Sequence, residues 1–175
     1  MAYLSLNLGE RSRSLTRSSG WAGTWLLLTI FWAYGFSSCE RAPQKPAPEL
    51  GPTVVVRNQA GRDWTVQVEL ARADAERRQG LMFRWSLAPD HGMLFIWAGA
   101  KPRTFWMKNT RVPLDMIFIT ADKKILGLVE NAEPYTETPR SAPGESQYVL
   151  EVAGGQAKAH GLAPGDGVYF FGFEP

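Results

Sequence analysis

The sequence predicts an all-β fold, a sandwich or barrel with one or two short helices, on three observations. Short runs rich in β-branched and aromatic residues recur along most of the chain, separated by Gly/Pro turns. Only two stretches carry helix signals, and each is about one turn long. The 7 Trp and 9 Phe are many for 175 residues and favour strands or aromatic-lined grooves.

Taken in order, Thr53–Arg57 and Trp64–Ala71 are strands joined by a polar, Gly-containing loop, which reads as a hairpin. Trp64, Val66, Val68 and Leu70 alternate with polar residues, so one face is buried and the other wet. Asp74 opens a short helix, Ala75–Gln79, which Gly80 stops. Arg77, Arg78 and Arg84 fall close together, either as a solvated basic face or as an anion site. Met93–Trp97 is a buried strand after the turn Pro89–Gly92. Ile125–Val129, Gln147–Val152 and Val168–Phe171 are further strands, with a short helical piece over Gln156–His160. Glu133–Ser146, with three prolines, is a long excursion of a kind often used functionally.

The stretch Phe105–Phe118 places two apolar runs around a polar turn. Asn109 tolerates left-handed backbone, Pro113 forces Val112 into an extended conformation, and Asp115 can bond to nearby backbone N–H groups. The expectation is strand, tight loop, strand, with Trp106 and Lys108 on one face and Phe105 and Met107 on the other.

Residues 1–38 read as a signal peptide: a segment with Arg11, Arg13 and Arg17, an apolar core from Trp21 to Tyr34, then small residues. That core is shorter than the ~20 residues a spanning helix needs. Phe36-Ser37-Ser38-Cys39 resembles the lipobox of bacterial lipoproteins, in which the cysteine becomes the lipid-modified first residue, although Phe36 stands where Leu is usual. Cys39 is the only cysteine, so no internal disulfide can form. Residues 39–52 are a Pro-rich tether, and 53–175 form a single β domain. The expected location is the cell envelope, with the membrane as partner through lipidated Cys39. The formal charge of +2 is matched by the first segment, where three arginines stand against Glu10, leaving a near-neutral body. Such a body offers no electrostatic footprint for nucleic acid.

Three blocks carry a family resemblance. They are Glu76-Arg77-x-x-Gly80-Leu81-Met82-x-Arg84, Gly92-Met93-Leu94-Phe95, and Phe105 to Phe118 with its Asn109, Pro113 and Asp115; Tyr148–Glu151 and Gly165-Asp166 fit as well. Together they resemble the bacterial and archaeal family called domain of unknown function 192, over about Val54–Phe171. The resemblance implies a compact β-sandwich of jelly-roll type and no particular activity.

For chemistry, the residues leave alternatives. His91 and His160, the only histidines, lie in no nucleophile–base motif. A binding site would gather Trp106, Lys108, Asn109 and Asp115, with Arg84 as anion partner and Glu151 nearby, around a small molecule, glycan or peptide. In the bland alternative, Asn109 and Asp115 only pin a loop. An enzyme would use Asp115 and Glu151 as an acid/base pair. Met82, Met93 and Met107 with His91 could hold Cu(I), although methionines in apolar strands usually fill cores. No cofactor is implied.

Overall fold

The computed structural model describes residues 51–175; the signal peptide, Cys39 and nearly all of the tether lie outside the described residues. Seven strands form one sheet: β1 (Thr53–Arg57), β2 (Asp63–Ala71), β3 (His91–Lys101), β4 (Leu114–Ile119), β5 (Ile125–Ala132), β6 (Ser146–Ala153) and β7 (Gly167–Phe171). Two short helices join them, α1 (Asp74–Gln79) and α2 (Gln156–Ala159). The all-β expectation holds, as a single curled sheet rather than two separate layers.

The strand order is β5-β4-β6-β3-β2-β1-β7. All pairings are antiparallel except β2 with β3, which run parallel and are joined through α1. The two edge strands approach each other at one end. Lys124 and Gly167 form a bridge, Ile125 N–H donates to the Asp166 carbonyl at 2.9 Å, and Gly165 N–H donates to the Ile125 carbonyl at 2.8 Å. This junction satisfies edge groups that would otherwise stay open to other chains.

Because side chains alternate across a sheet, each strand feeds two cores. Inside the curl all seven strands contribute, among them Val54, Val66, Leu94, Ile117, Leu150 and Val168. The outer core lies over β3, β4 and β6, where Met93, Phe95, Met116, Phe118 and Val149 meet Leu81, Met107 and Ala142 from the connecting segments. The connections between strands are thus the roof of the second core.

The stretch after Phe105 departs from the expected strand-loop-strand. Only Leu114–Ile119 is a strand; Phe105 makes a lone bridge to Arg140, and residues 106–113 cross as an irregular segment. The expected sidedness nevertheless holds, for Met107 is fully buried and Trp106 exposed. Asn109 takes the left-handed conformation, at φ 54°.

Asp115 is completely buried, and its carboxylate is consumed by the backbone. Oδ1 accepts from Asn131 N–H at 2.6 Å and Gly155 N–H at 3.0 Å, and Oδ2 accepts from Ala157 N–H at 2.7 Å. One side chain of β4 therefore ties the end of β5 to the start of α2, and α2 caps the inner core through buried Ala157. Asp115→Ala would leave three backbone donors without their acceptor, one of them buried, at about 1–3 kcal/mol, and two partly buried at less. Urea unfolding should show a loss of about 2 kcal/mol or more, with Asp115→Asn losing less; a loss within measurement error for Asp115→Ala would contradict this role.

Candidate functional site

A groove of about 560 Å³ opens on the outer core, between α1 and the segment from Pro102 to Trp106. Its position follows from local sequence. Gly80 ends α1, and a Cβ there would lie 3.2 Å from Phe95 Cζ and 3.9 Å from Glu151 Oε2. Gly80 also sits at φ 50°, where a side chain is disfavoured. The missing side chain leaves an opening directly above Phe95 and Glu151.

The wall is aromatic and organised on Phe105. Its ring meets Phe95 edge-on at 5.1 Å, Phe118 at 5.9 Å and Trp97 at 6.2 Å, all near perpendicular. Edge-to-face contacts of this kind add to area burial and hold rings at fixed angles. Trp106, 48% exposed, stands at the groove mouth with Lys108 Nζ 5.1 Å from its ring centroid.

Two guanidinium groups converge on Trp97. Arg103 lies 4.2 Å from the indole centroid and Arg77 lies 5.4 Å from it. Arg77 is paired with Asp74 and donates to the Ile96 carbonyl. Among the described residues Arg103 donates only to carbonyls, to Gly99 at 2.8 Å and Ser146 at 3.5 Å. Partial burial and the neighbouring Arg77 cation both pull the Arg103 pKa below its usual value.

Glu151 forms the floor. It is 3% exposed, and β6 pairs it with Met93 of β3 on one side and Met116 of β4 on the other. Burial among these groups pushes its carboxyl up to about 8 from an ordinary 4.5, with no cation or hydrogen-bond donor opposing the shift. The acid is therefore mostly protonated at neutral pH and can donate a hydrogen bond into the groove.

The site differs from the one expected. Trp106 and Glu151 line the groove, but Asp115 does not. Met116 pairs with Glu151 and so shares its face; Asp115, one residue earlier, points to the opposite face, toward α2. The pleat thus separates Asp115 from Glu151, and the expected acid/base pair does not form. Arg84 is also elsewhere, held by Glu69 through two bonds of 2.6 Å. Lys108 sits 3.4 Å from Glu137, and Asn109 uses its carbonyl to accept from Phe83 N–H at 2.9 Å.

The soft-metal set is likewise split. Met93 and Met107 are packed in the outer core, Met82 is half-buried at the groove, and His91 is exposed at the start of β3. Among the described residues no group of three or more His, Cys, Asp or Glu could hold a metal ion. Met93 and Met107 fill space in the outer core, the ordinary place of a methionine in an apolar strand.

Sequence reasoning left out Trp97, Arg103 and Phe105. The available signal was weak: Trp97 ends an apolar run, and Arg103 stands in a loop that only the fold brings beside Arg77.

Glu151 also sets a pH dependence. Between about 4.5 and 8 the folded chain holds a proton that the unfolded chain releases, so stability falls as pH rises through this window. Urea midpoints should drop from pH 5 to pH 8 in the native protein, relative to a flatter profile in Glu151→Gln, with the difference reaching a few kcal/mol. Parallel profiles for the two proteins would refute a buried neutral acid.

Comparison with known proteins adds the family. A family model described as Uncharacterized ACR, domain of unknown function 192, matches residues 55–170. No curated protein matches the chain. A solved structure from Sinorhizobium meliloti 1021, described as a candidate transcription regulator, is 42% identical with a TM-score of 0.67; it covers 70% of this chain and 95% of its own. A protein of unknown function from Novosphingobium aromaticivorans DSM 12444 is 43% identical with a TM-score of 0.64, covering 67% of this chain and 83% of its own. The match extends over most of the β domain and includes every strand that builds the groove, so the chain belongs to the domain of unknown function 192 family.

Proposed function

We propose that this protein is an exported, membrane-tethered binding module of the cell envelope, and that the groove over Glu151 is its ligand site. The observation that carries the binding reading is the composition of one concavity. Fixed aromatic rings supply apolar area, guanidinium groups stand at the rim, and a single buried carboxyl waits at the floor. An apolar cleft with a few convergent polar groups is the usual form of a small-molecule site. Structural needs alone do not call for a glutamate in that position, since a leucine or methionine there would avoid the cost of burying a carboxyl.

The rival reading, an envelope enzyme using paired carboxylates, has one acid where it needs two. Glu151 could still donate a proton, but Asp115 faces α2, and no second carboxylate lines the groove. Binding is therefore the better supported class.

Export and tethering rest on the segment before residue 39 and on Cys39. Among the described residues, no helix is long and apolar enough to cross a membrane; in this reading a lipid on Cys39 supplies the attachment.

Two experiments test these readings. Produced with its own N-terminus in a bacterial host, the protein should incorporate labelled palmitate and lose it in Cys39→Ala; no label on the native chain would overturn the tether. In a fragment screen followed by amide chemical shifts, hits should cluster on Gly80, Leu81, Phe105 and Trp106. Trp106→Ala should weaken them by roughly tenfold, about 1.4 kcal/mol, while Trp85→Ala, outside the groove, should leave them unchanged. Hits that avoid these amides would place the site elsewhere.

A further inference from the structure

We propose that the groove selects acidic molecules, seating a carboxylate or phosphate against Arg103, Arg77 and Arg78 with an apolar ring or chain running along Phe105 toward Glu151. This rests on the groove being the ligand site, and it adds the chemical class that the site admits.

The charge balance leads there. Arg77, Arg78 and Arg103 all line the groove, and Glu151 is the one acidic residue that does. Of the three cations only Arg77 forms an ion pair among the described residues, with Asp74. Arg103 donates to the Gly99 and Ser146 carbonyls, and Arg78 at the exposed end of α1 makes no side-chain bond among the described residues. A guanidinium carries five donors in a planar fork, so each has N–H groups left to offer. Two cations gathered on one indole repel each other, and Arg103 is partly buried, which a bound anion would relieve.

The rest of the groove narrows the ligand further. A metal ion or an ammonium group would meet uncompensated positive charge. A neutral sugar would leave that charge unanswered. Beyond the arginines the lining turns apolar, with Phe95, Phe105 and Leu81, and ends at a carboxyl that offers a proton. An anionic head, an apolar body and a carbonyl or hydroxyl at the far end match these three zones in order. Carboxylate and phosphate share the head chemistry, and planar forks suit both.

The test titrates phenyl phosphate, benzoate and uncharged benzyl alcohol into the labelled full chain at low salt, following groove amides. Both acids, or one of them, should bind at least roughly tenfold more tightly than the alcohol, and added salt should weaken the acids alone. A lead for phenyl phosphate points to a phosphorylated ligand, and a lead for benzoate to a carboxylic acid. Arg103→Ala should remove most of the preference. Arg78→Ala, at an exposed position that folding does not need, should reduce it as well, while Arg84→Ala, held by Glu69 outside the groove, should not. Equal binding of alcohol and acids in the groove would overturn the acid selectivity and leave the groove as a site. Silence of the groove amides with all three probes would overturn the proposal, and fragment hits elsewhere would then remove the groove itself.

Discussion

The groove depends on a buried carboxyl that has no charge partner beside it among the described residues. Glu151 belongs to β6, between Leu150 and Val152, both of which face the interior of the curl. Strand alternation therefore sends Glu151 to the outer face, between the methionines of two neighbouring strands. Desolvation there favours the protonated acid, and a neutral acid can sit where a carboxylate could not. The neighbours are arranged to tolerate it. Gly92, paired with Val152, lies close to the β6 backbone: a Cβ there would lie 2.4 Å from the Glu151 carbonyl oxygen, so β3 and β6 could not pair as they do with any larger residue. Gly80 leaves the carboxyl its one opening.

Asp115 shows the contrasting solution to the same problem. It too is buried, yet it receives three backbone N–H groups and serves as a tie among β4, β5 and α2. These three hydrogen bonds replace the water that the side chain loses on burial. Two acids one strand apart thus have opposite fates, set by which face of the sheet each one takes. Asp115 spends its bonding capacity on the fold, and Glu151 keeps its own for the groove.

The segment around Asn109 carries a further cost. Phe83, Asn109 and Tyr135 all have positive φ, at 65°, 54° and 58°, and they are linked, since Phe83 N–H donates to the Asn109 carbonyl and Tyr135 N–H to the Thr110 carbonyl. For Asn this conformation is mild, and for the two aromatics it is uncommon. The surrounding hydrogen bonds hold all three in place, which keeps the segment from Phe105 to Thr110 in a fixed path beside the groove.

Much of the fold was legible from the chain. Period-two alternation in Trp64–Leu70 and the apolar run at Met93–Trp97 marked β2 and β3, and Gly80 marked the end of α1. The left-handed turn at Asn109 and the placing of Trp106 and Met107 on opposite sides were legible for local reasons, while the exposure of Trp106 was not. The site was legible only in part. Opposition of Asp115 and Glu151 depends on the β4–β6 register, which is set by residues more than thirty positions apart. Convergence of Arg77 and Arg103 on Trp97 depends on how α1 and the end of β3 come together, and no local pattern encodes that.

The groove floor is an uncharged acid held out of water. The most direct test of this is the side-chain carboxyl ¹³C shift of Glu151, followed by NMR across pH with Glu151→Gln to assign the signal. The account requires the transition near pH 8. A transition close to 4.5, the ordinary glutamate value, would show a solvated carboxylate and contradict it.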